Sequence, residues 1–202
     1  MMIDYVGTER CDILYYIVKI GKNLKKNILV IDNSITGDLF HLYKDENNTE
    51  GEEGSVRILR NRVVGKDEAA AYDTVIVYEG LYPEYTNYRD LTIFAPNENE
   101  AEWEMMKPFV ENRKDNGDII CILRDRATKK VNSKVVSQYF GIELDEVLEE
   151  EYGDNGYVAY AALMQNHMGN IPKRCAASTI ALNIASLIYH VNAKELKKTM
   201  KL

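Results

Sequence analysis

Ile3 to Ser34 reads IDYVG, TERCD, ILYYIVKIGKNLKK, NILVIDNS. A short apolar run, a tight polar turn, a periodic apolar stretch and a second apolar run predict strand, turn, helix, strand. In such a unit the turn lies where a phosphate loop would sit. A loop of that kind needs glycines, so that backbone amides converge on the anion, and a lysine to neutralise it. The turn here offers Gly7, Thr8, Glu9, Arg10, Cys11 and Asp12. Glu9 and Asp12 flank the helix N-terminus and take up the partial positive charge that a phosphate would otherwise use.

The same alternation continues outward. Ile35 to Tyr43 reads as a short helix, and Lys44 to Gly54 (KDENNTEGEEG) as a polar acidic loop. Val56 to Leu59 is a short strand, Lys66 to Tyr72 a helical turn, and Thr74 to Tyr78 and Leu91 to Ala95 are buried strands. Asn97 with Glu100 forms a capping-box pattern opening a helix through Trp103, Met106 and Val110, which Pro108 is expected to kink or end early. Asp118 to Leu123 is a further strand, and Ser133 to Phe140, stopped by Gly141, a helix. The seven carboxylates between Glu143 and Asp154 read most simply as a solvated face. Tyr157 to Met168 and Lys173 to His190 are the last substantial helices. Apolar strands alternating with helices call for a doubly wound α/β fold, a mostly parallel sheet of about six or seven strands with helices on both faces.

At 202 residues and 23.2 kDa the chain suits one domain, residues 1–202, and no second domain is needed. No apolar run is long enough to cross a bilayer, and the first apolar helix carries Asp12, Lys19 and Lys22, unlike a signal peptide. Cys11, Cys121 and Cys175 are an odd number without a close pair, so neither a disulfide framework nor a cysteine-rich metal site is indicated and a reducing cytoplasm is the plain reading. A net charge of −7 argues against nucleic acid as a partner. Fourteen tyrosines against four phenylalanines favour half-wet surfaces and interfaces as well as cores.

The whole order resembles the MinD/ParA family of deviant-Walker P-loop ATPases, TadZ/CpaE-like relatives included. The match is in layout, not in signature residues. Counted back from Val30-Ile31-Asp32, the family's signature lysine falls on Val6, its loop glycines near Thr8 and Arg10, its phosphate lysine on Cys11 and its magnesium-holding hydroxyl on Asp12. Asp32 matches the aspartate ending the second strand. Tyr72 to Val77 resembles the approach to the magnesium-linked aspartate, whose place is held by Tyr78, and Arg124 stands where a base-contacting asparagine is expected. No lysine lies between Met1 and Lys19, so no shift of register restores the phosphate lysine. The resemblance thus implies a vestigial nucleotide site of Gly7, Thr8, Glu9, Arg10, Cys11, Asp12, Asp32, Tyr78 and Arg124, with no cofactor and no metal. It also implies a protein partner, a homodimer being one form.

Other readings stand beside this one. Asp32 lies about 20 residues beyond the first turn, as a ribose-binding carboxylate does, but GxGxxG is absent and a cap or ion pair at the strand end is the alternative. Cys11 beside Arg10 at a helix N-terminus has features that lower a thiol pKa, yet Glu9 and Asp12 oppose the thiolate. His41, His167 and His190 show no metal-ligand spacing. Tyr82, Tyr85 and Tyr88 in GLYPEYTNYRD follow a strand at its carboxyl end, so they either form an interface or pack over the sheet edge. Ala193 to Leu202 (AKELKKTMKL) reads as a short basic helix with Leu196, Met200 and Leu202 on one side, either a weak membrane contact or a solvated helix end. A pseudo-ATPase binding proteins is the expectation, and a nucleotide binder or weak hydrolase built from Arg10, Arg124 and Asp32 is the alternative.

Overall fold

The computed structural model describes residues 1–43, 55–83, 89–113, 117–128, 130–142, 146–151, 160–165 and 175–199. Its elements are β1 (Met2–Gly7), α1 (Asp12–Asn23), β2 (Ile28–Asp32), α2 (Asp38–Tyr43), β3 (Val56–Arg60), α3 (Lys66–Ala69), β4 (Thr74–Gly80) and β5 (Leu91–Ala95). There follow α4 (Glu100–Arg113), β6 (Asp118–Arg126), α5 (Ser133–Phe140), β7 (Glu146–Glu151), α6 (residues 160–165), α7 (Ala176–Tyr189) and α8 (Ala193–Thr199). The strands form one seven-stranded parallel sheet in the order β3-β2-β4-β1-β5-β6-β7, flanked by helices. Every residue of β2, β4 and β5 is buried, as strands covered on both faces require.

The chain divides into two compact units. The first comprises Met1–Glu9, Asn33–Thr36 and Ile76–Tyr152. In it β1 pairs with β5 from Ile3 opposite Leu91 to Gly7 opposite Ala95. Its core gathers Phe94, Trp103, Phe109 and Phe140, with the Phe94 and Phe140 rings edge to face at 4.7 Å. The Trp103 indole N–H donates to the Asn97 carbonyl at 2.7 Å, so this large side chain is buried without an orphaned donor. Within β1, the central strand, Asp4 is fully buried and meets two arginines, Arg89 at 2.5 Å and Arg113 at 2.6 Å.

Three details of this unit differ from the sequence reading. The cap of α4 is Asn99, whose side chain accepts from the Ala101 amide at 3.1 Å, while Asn97 accepts from Asn99 at 2.7 Å and so shapes the approach. Pro108 lies inside α4, which runs on to Arg113. Phe109, Val110 and Arg113 beyond the proline are all buried, and their packing offsets the roughly 3 kcal/mol that an interior proline costs. Glu146 to Glu151 is a strand, not only a solvated acidic face. Arg124 and Arg126 at the end of β6 explain it, meeting Glu150 at 2.8 Å and Glu149 at 2.5 Å.

The second unit comprises Arg10–Asp32, Gly37–Val75 and Gly153–Leu202. Here β2 pairs with β3 from Ile28 opposite Val56 to Asp32 opposite Arg60. Helix α7 buries Ile180, Ile184 and Ile188, and its Tyr189 hydroxyl reaches across to the Ile17 carbonyl of α1 at 3.3 Å. Gly21 permits that approach, since a Cβ there would stand 2.3 Å from the Tyr189 oxygen and 2.4 Å from Ile28. In α8, Leu196 is fully buried, which withdraws it from the apolar side proposed for a membrane contact. Met200 and Leu202, like the acidic loop 44–54, lie outside the described residues.

Candidate functional site

In the first unit, β1 ends at Gly7, whose φ of 143° brings it against β5 so closely that a Cβ would sit 2.2 Å from the Ala95 carbonyl oxygen. The Thr8 amide then donates to that same carbonyl at 2.9 Å, and the Thr8 hydroxyl donates to Glu102 at 3.3 Å. Glu9 turns its carboxylate onto the backbone amides of Ile35 and Thr36, at 3.1 and 3.0 Å. Successive amides of this sort form an anion-binding concavity, and here the anion is a side chain of the chain itself. Gly80, with φ 65°, leaves room for that carboxylate, since a Cβ on it would lie 2.5 Å from Glu9 Oε1.

The second unit carries the start of α1. Arg10 donates twice to one oxygen of Asp12, from Nε at 2.9 Å and Nη2 at 2.7 Å, with both residues buried. The backbone amide of Cys11, the N-cap residue, donates to Asp38 Oδ2 at 3.0 Å. The same Asp38 oxygen accepts the Tyr160 hydroxyl at 3.0 Å, and Asp38 Oδ1 accepts the Leu39 amide at 2.9 Å. The Arg10 guanidinium stands 5.6 Å from the centre of the Tyr160 ring. Asp32, fully buried at the end of β2, accepts from the Phe40 amide at 2.8 Å, an amide in the first turn of α2. A carboxylate accepting backbone amides contributes about 1.5–3 kcal/mol for a charged hydrogen bond.

The environment of Cys11 bears on its reactivity. Burial pushes its thiol pKa up, and Asp38, Asp12 and Asp32 push it further in the same direction. Arg10 is turned to Asp12, so the thiolate is disfavoured. The Tyr160 hydroxyl is likewise raised, by burial first and then by Asp38.

The other sequence-predicted residues fall as follows. Tyr78 is fully buried, its ring edge to face with Tyr5 at 5.5 Å. Arg124 is fully buried too, donating to Glu150 at 2.8 Å and to the Tyr5 hydroxyl at 3.3 Å. Tyr82 is exposed, whereas Tyr85 and Tyr88 lie outside the described residues. Asp38, Tyr160 and Glu150 carry much of this geometry, and sequence reading missed all three. Asp38 follows Gly37 as the first residue of a helix, a recognisable N-terminal carboxylate, but nothing local ties it to Cys11. Among the described residues no group of three or more His, Cys, Asp and Glu is placed to hold a metal ion. No described helix is long and apolar enough to cross a membrane.

Set against solved structures, the chain superposes on a ParA family ATPase from Chlorobium tepidum TLS with a TM-score of 0.60, covering 91% of this chain and 96% of that one at 11% identity. The fold is that of the ParA and MinD ATPases. The MinD cell division protein of Aquifex aeolicus matches with a TM-score of 0.60, 95% and 98% coverage and 10% identity. A putative plasmid partition protein from Borrelia burgdorferi B31, bound to AMPPNP, matches with a TM-score of 0.56, 92% and 98% coverage and 9% identity. The Aquifex MinD also matches within a MinC:MinD cell division complex, at a TM-score of 0.60 and 11% identity. No family model matches the chain, and no curated protein matches it by sequence.

Proposed function

We propose that this chain is a MinD/ParA-like pseudo-ATPase, a protein-binding regulatory or scaffold module of localisation, pilus or secretion machinery that works without hydrolysing nucleotide. The observation that carries the reading is the engagement of backbone amides by the chain's own carboxylates, Asp38 on Cys11 and Glu9 on Ile35 and Thr36. A triphosphate brings clustered negative charge that must meet amides, cations and magnesium. Here the amide of the N-cap residue already faces a carboxylate. Arg10 is neutralised by Asp12 in one unit and Arg124 by Glu150 in the other, which also counts against a rearranged nucleotide site built on those arginines. Partner binding is supported by a MinC:MinD complex among the structural neighbours. A homodimer is one form such binding would take.

Calorimetry of the purified chain with ATP, ADP and GTP, with and without magnesium, tests the proposal. No binding up to millimolar nucleotide is expected. Magnesium-dependent binding that Arg10→Ala abolishes would instead establish the alternative, a nucleotide binder or weak ATPase with a rearranged site.

A further inference from the structure

Charge divides unequally between the two units. The first holds 19 Asp and Glu against 9 Lys and Arg and the second 13 against 16, together the chain's 32 and 25. On the first unit Glu9 follows β1, Glu98 follows β5, and Glu100 and Glu102 open α4, none of them buried. Four large apolar side chains of this acidic unit are exposed among the described residues, Met1, Ile35, Tyr82 and Met105, and the two most exposed are Ile35 at 63% and Tyr82 at 55%. These two lie on neighbouring segments. The Asn33 amide donates to the Tyr78 carbonyl at 2.8 Å, and a Cβ on Gly80 would meet Ser34 Cα at 3.3 Å.

Scattered exposed apolar residues are ordinary on any protein. This pair differs because the backbone presenting Ile35 is held in place, its amide and the next one both fixed by Glu9. A pre-set loop loses little conformational freedom when a partner covers it, and tyrosine offers wide contact for few rotatable bonds. Resting on the protein-binding reading above, we propose that Ile35, with Glu9 beside it, and Tyr82, both on this acidic unit, dock a cationic segment of a partner protein bearing an apolar or aromatic anchor. The carboxylates would draw the segment in and fix its register, and the two apolar side chains would hold its anchor.

The test is fluorescence anisotropy with the intact chain and two labelled peptides of equal length. One alternates Lys with Leu and Trp, and the other keeps Leu and Trp but replaces Lys by Glu. The basic probe is expected to bind, to weaken as salt is raised, and to lose about tenfold in affinity in Tyr82→Ala and in Ile35→Ser. Glu9→Gln should weaken it less, and the acidic probe should not bind. Equal binding of the two probes, no binding of either, or binding untouched by Tyr82→Ala and Ile35→Ser would overturn the proposal. Nucleotide calorimetry on the same preparation fails or succeeds independently, so loss of this docking surface is separable from loss of the pseudo-ATPase reading.

Discussion

Asp4 and Glu9, five residues apart, show two ways of settling a carboxylate. Asp4 is fully buried and meets two guanidinium groups, Arg89 and Arg113. Glu9 is half-buried and meets two backbone amides, Ile35 and Thr36. In the second unit Asp38 repeats the amide pattern on Cys11. The difference is one of purpose. A carboxylate locked between arginines holds distant elements together and offers nothing to a ligand, whereas carboxylates seated on amides occupy groups that could otherwise face an anion.

Substitution separates the two modes. Asp4→Ala leaves two arginines without their buried counter-charge and is expected to cost about 3–5 kcal/mol, read as a lower midpoint in urea unfolding. A loss under about 1 kcal/mol would show that Asp4 is not the lock described. Asp38→Ala removes the acceptor of the Cys11 amide and the Tyr160 hydroxyl, and should cost about 2 kcal/mol. Tyr160→Phe, losing one of those bonds, should cost about 1 kcal/mol. Glu9→Gln keeps the shape and one acceptor oxygen, so a loss below about 1 kcal/mol is expected. If Glu9→Gln proved as damaging as Asp4→Ala, the contrast between lock and occupant would collapse.

The smallest effect is chemical. Because the folded Cys11 pKa is raised above the ordinary thiol value of 9.0, the folded protein keeps a proton that the unfolded chain has lost. The associated stability is full below pH 9.0 and declines as pH rises toward the folded pKa. All three cysteines are buried. Native protein at pH 8 should therefore resist iodoacetamide while urea-unfolded protein reacts promptly. Fast native alkylation assigned to Cys11 by peptide mapping would revive it as a reactive thiol.

Much of this architecture is written in local pattern. The strands around Val30, Ile76 and Ile93 are apolar on both faces, and Asn132 with Gly141 brackets α5 with side-chain capping and a left-handed stop. What escaped reading depends on partners far away in sequence. Glu150 counts as a solvated acid until Arg124, 26 residues earlier, is placed beside it. Asp38 becomes informative only with Cys11, 27 residues back, and Tyr160, 122 residues on. Pro108 misleads because its penalty is local while the burial that outweighs it is not. Fold is legible where one element states its own environment, and the candidate site is not because each of its charges is defined by another.

The chain's interleaving between its two units carries a consequence for the order of synthesis. The first unit closes with Tyr152, but the second joins α1 to α7, and the Tyr189 contact with Ile17 spans 172 residues. Emerging N-terminal first at about 5–20 residues per second, α1 waits roughly 10–40 seconds for the helix that covers its apolar face. During that interval its buried side, Ile13, Ile17 and Ile20 among others, is displayed to the surroundings. The nascent chain is thus a form exposed to aggregation, and a product cut short before Ala176 would have a first helix without the cover of α7.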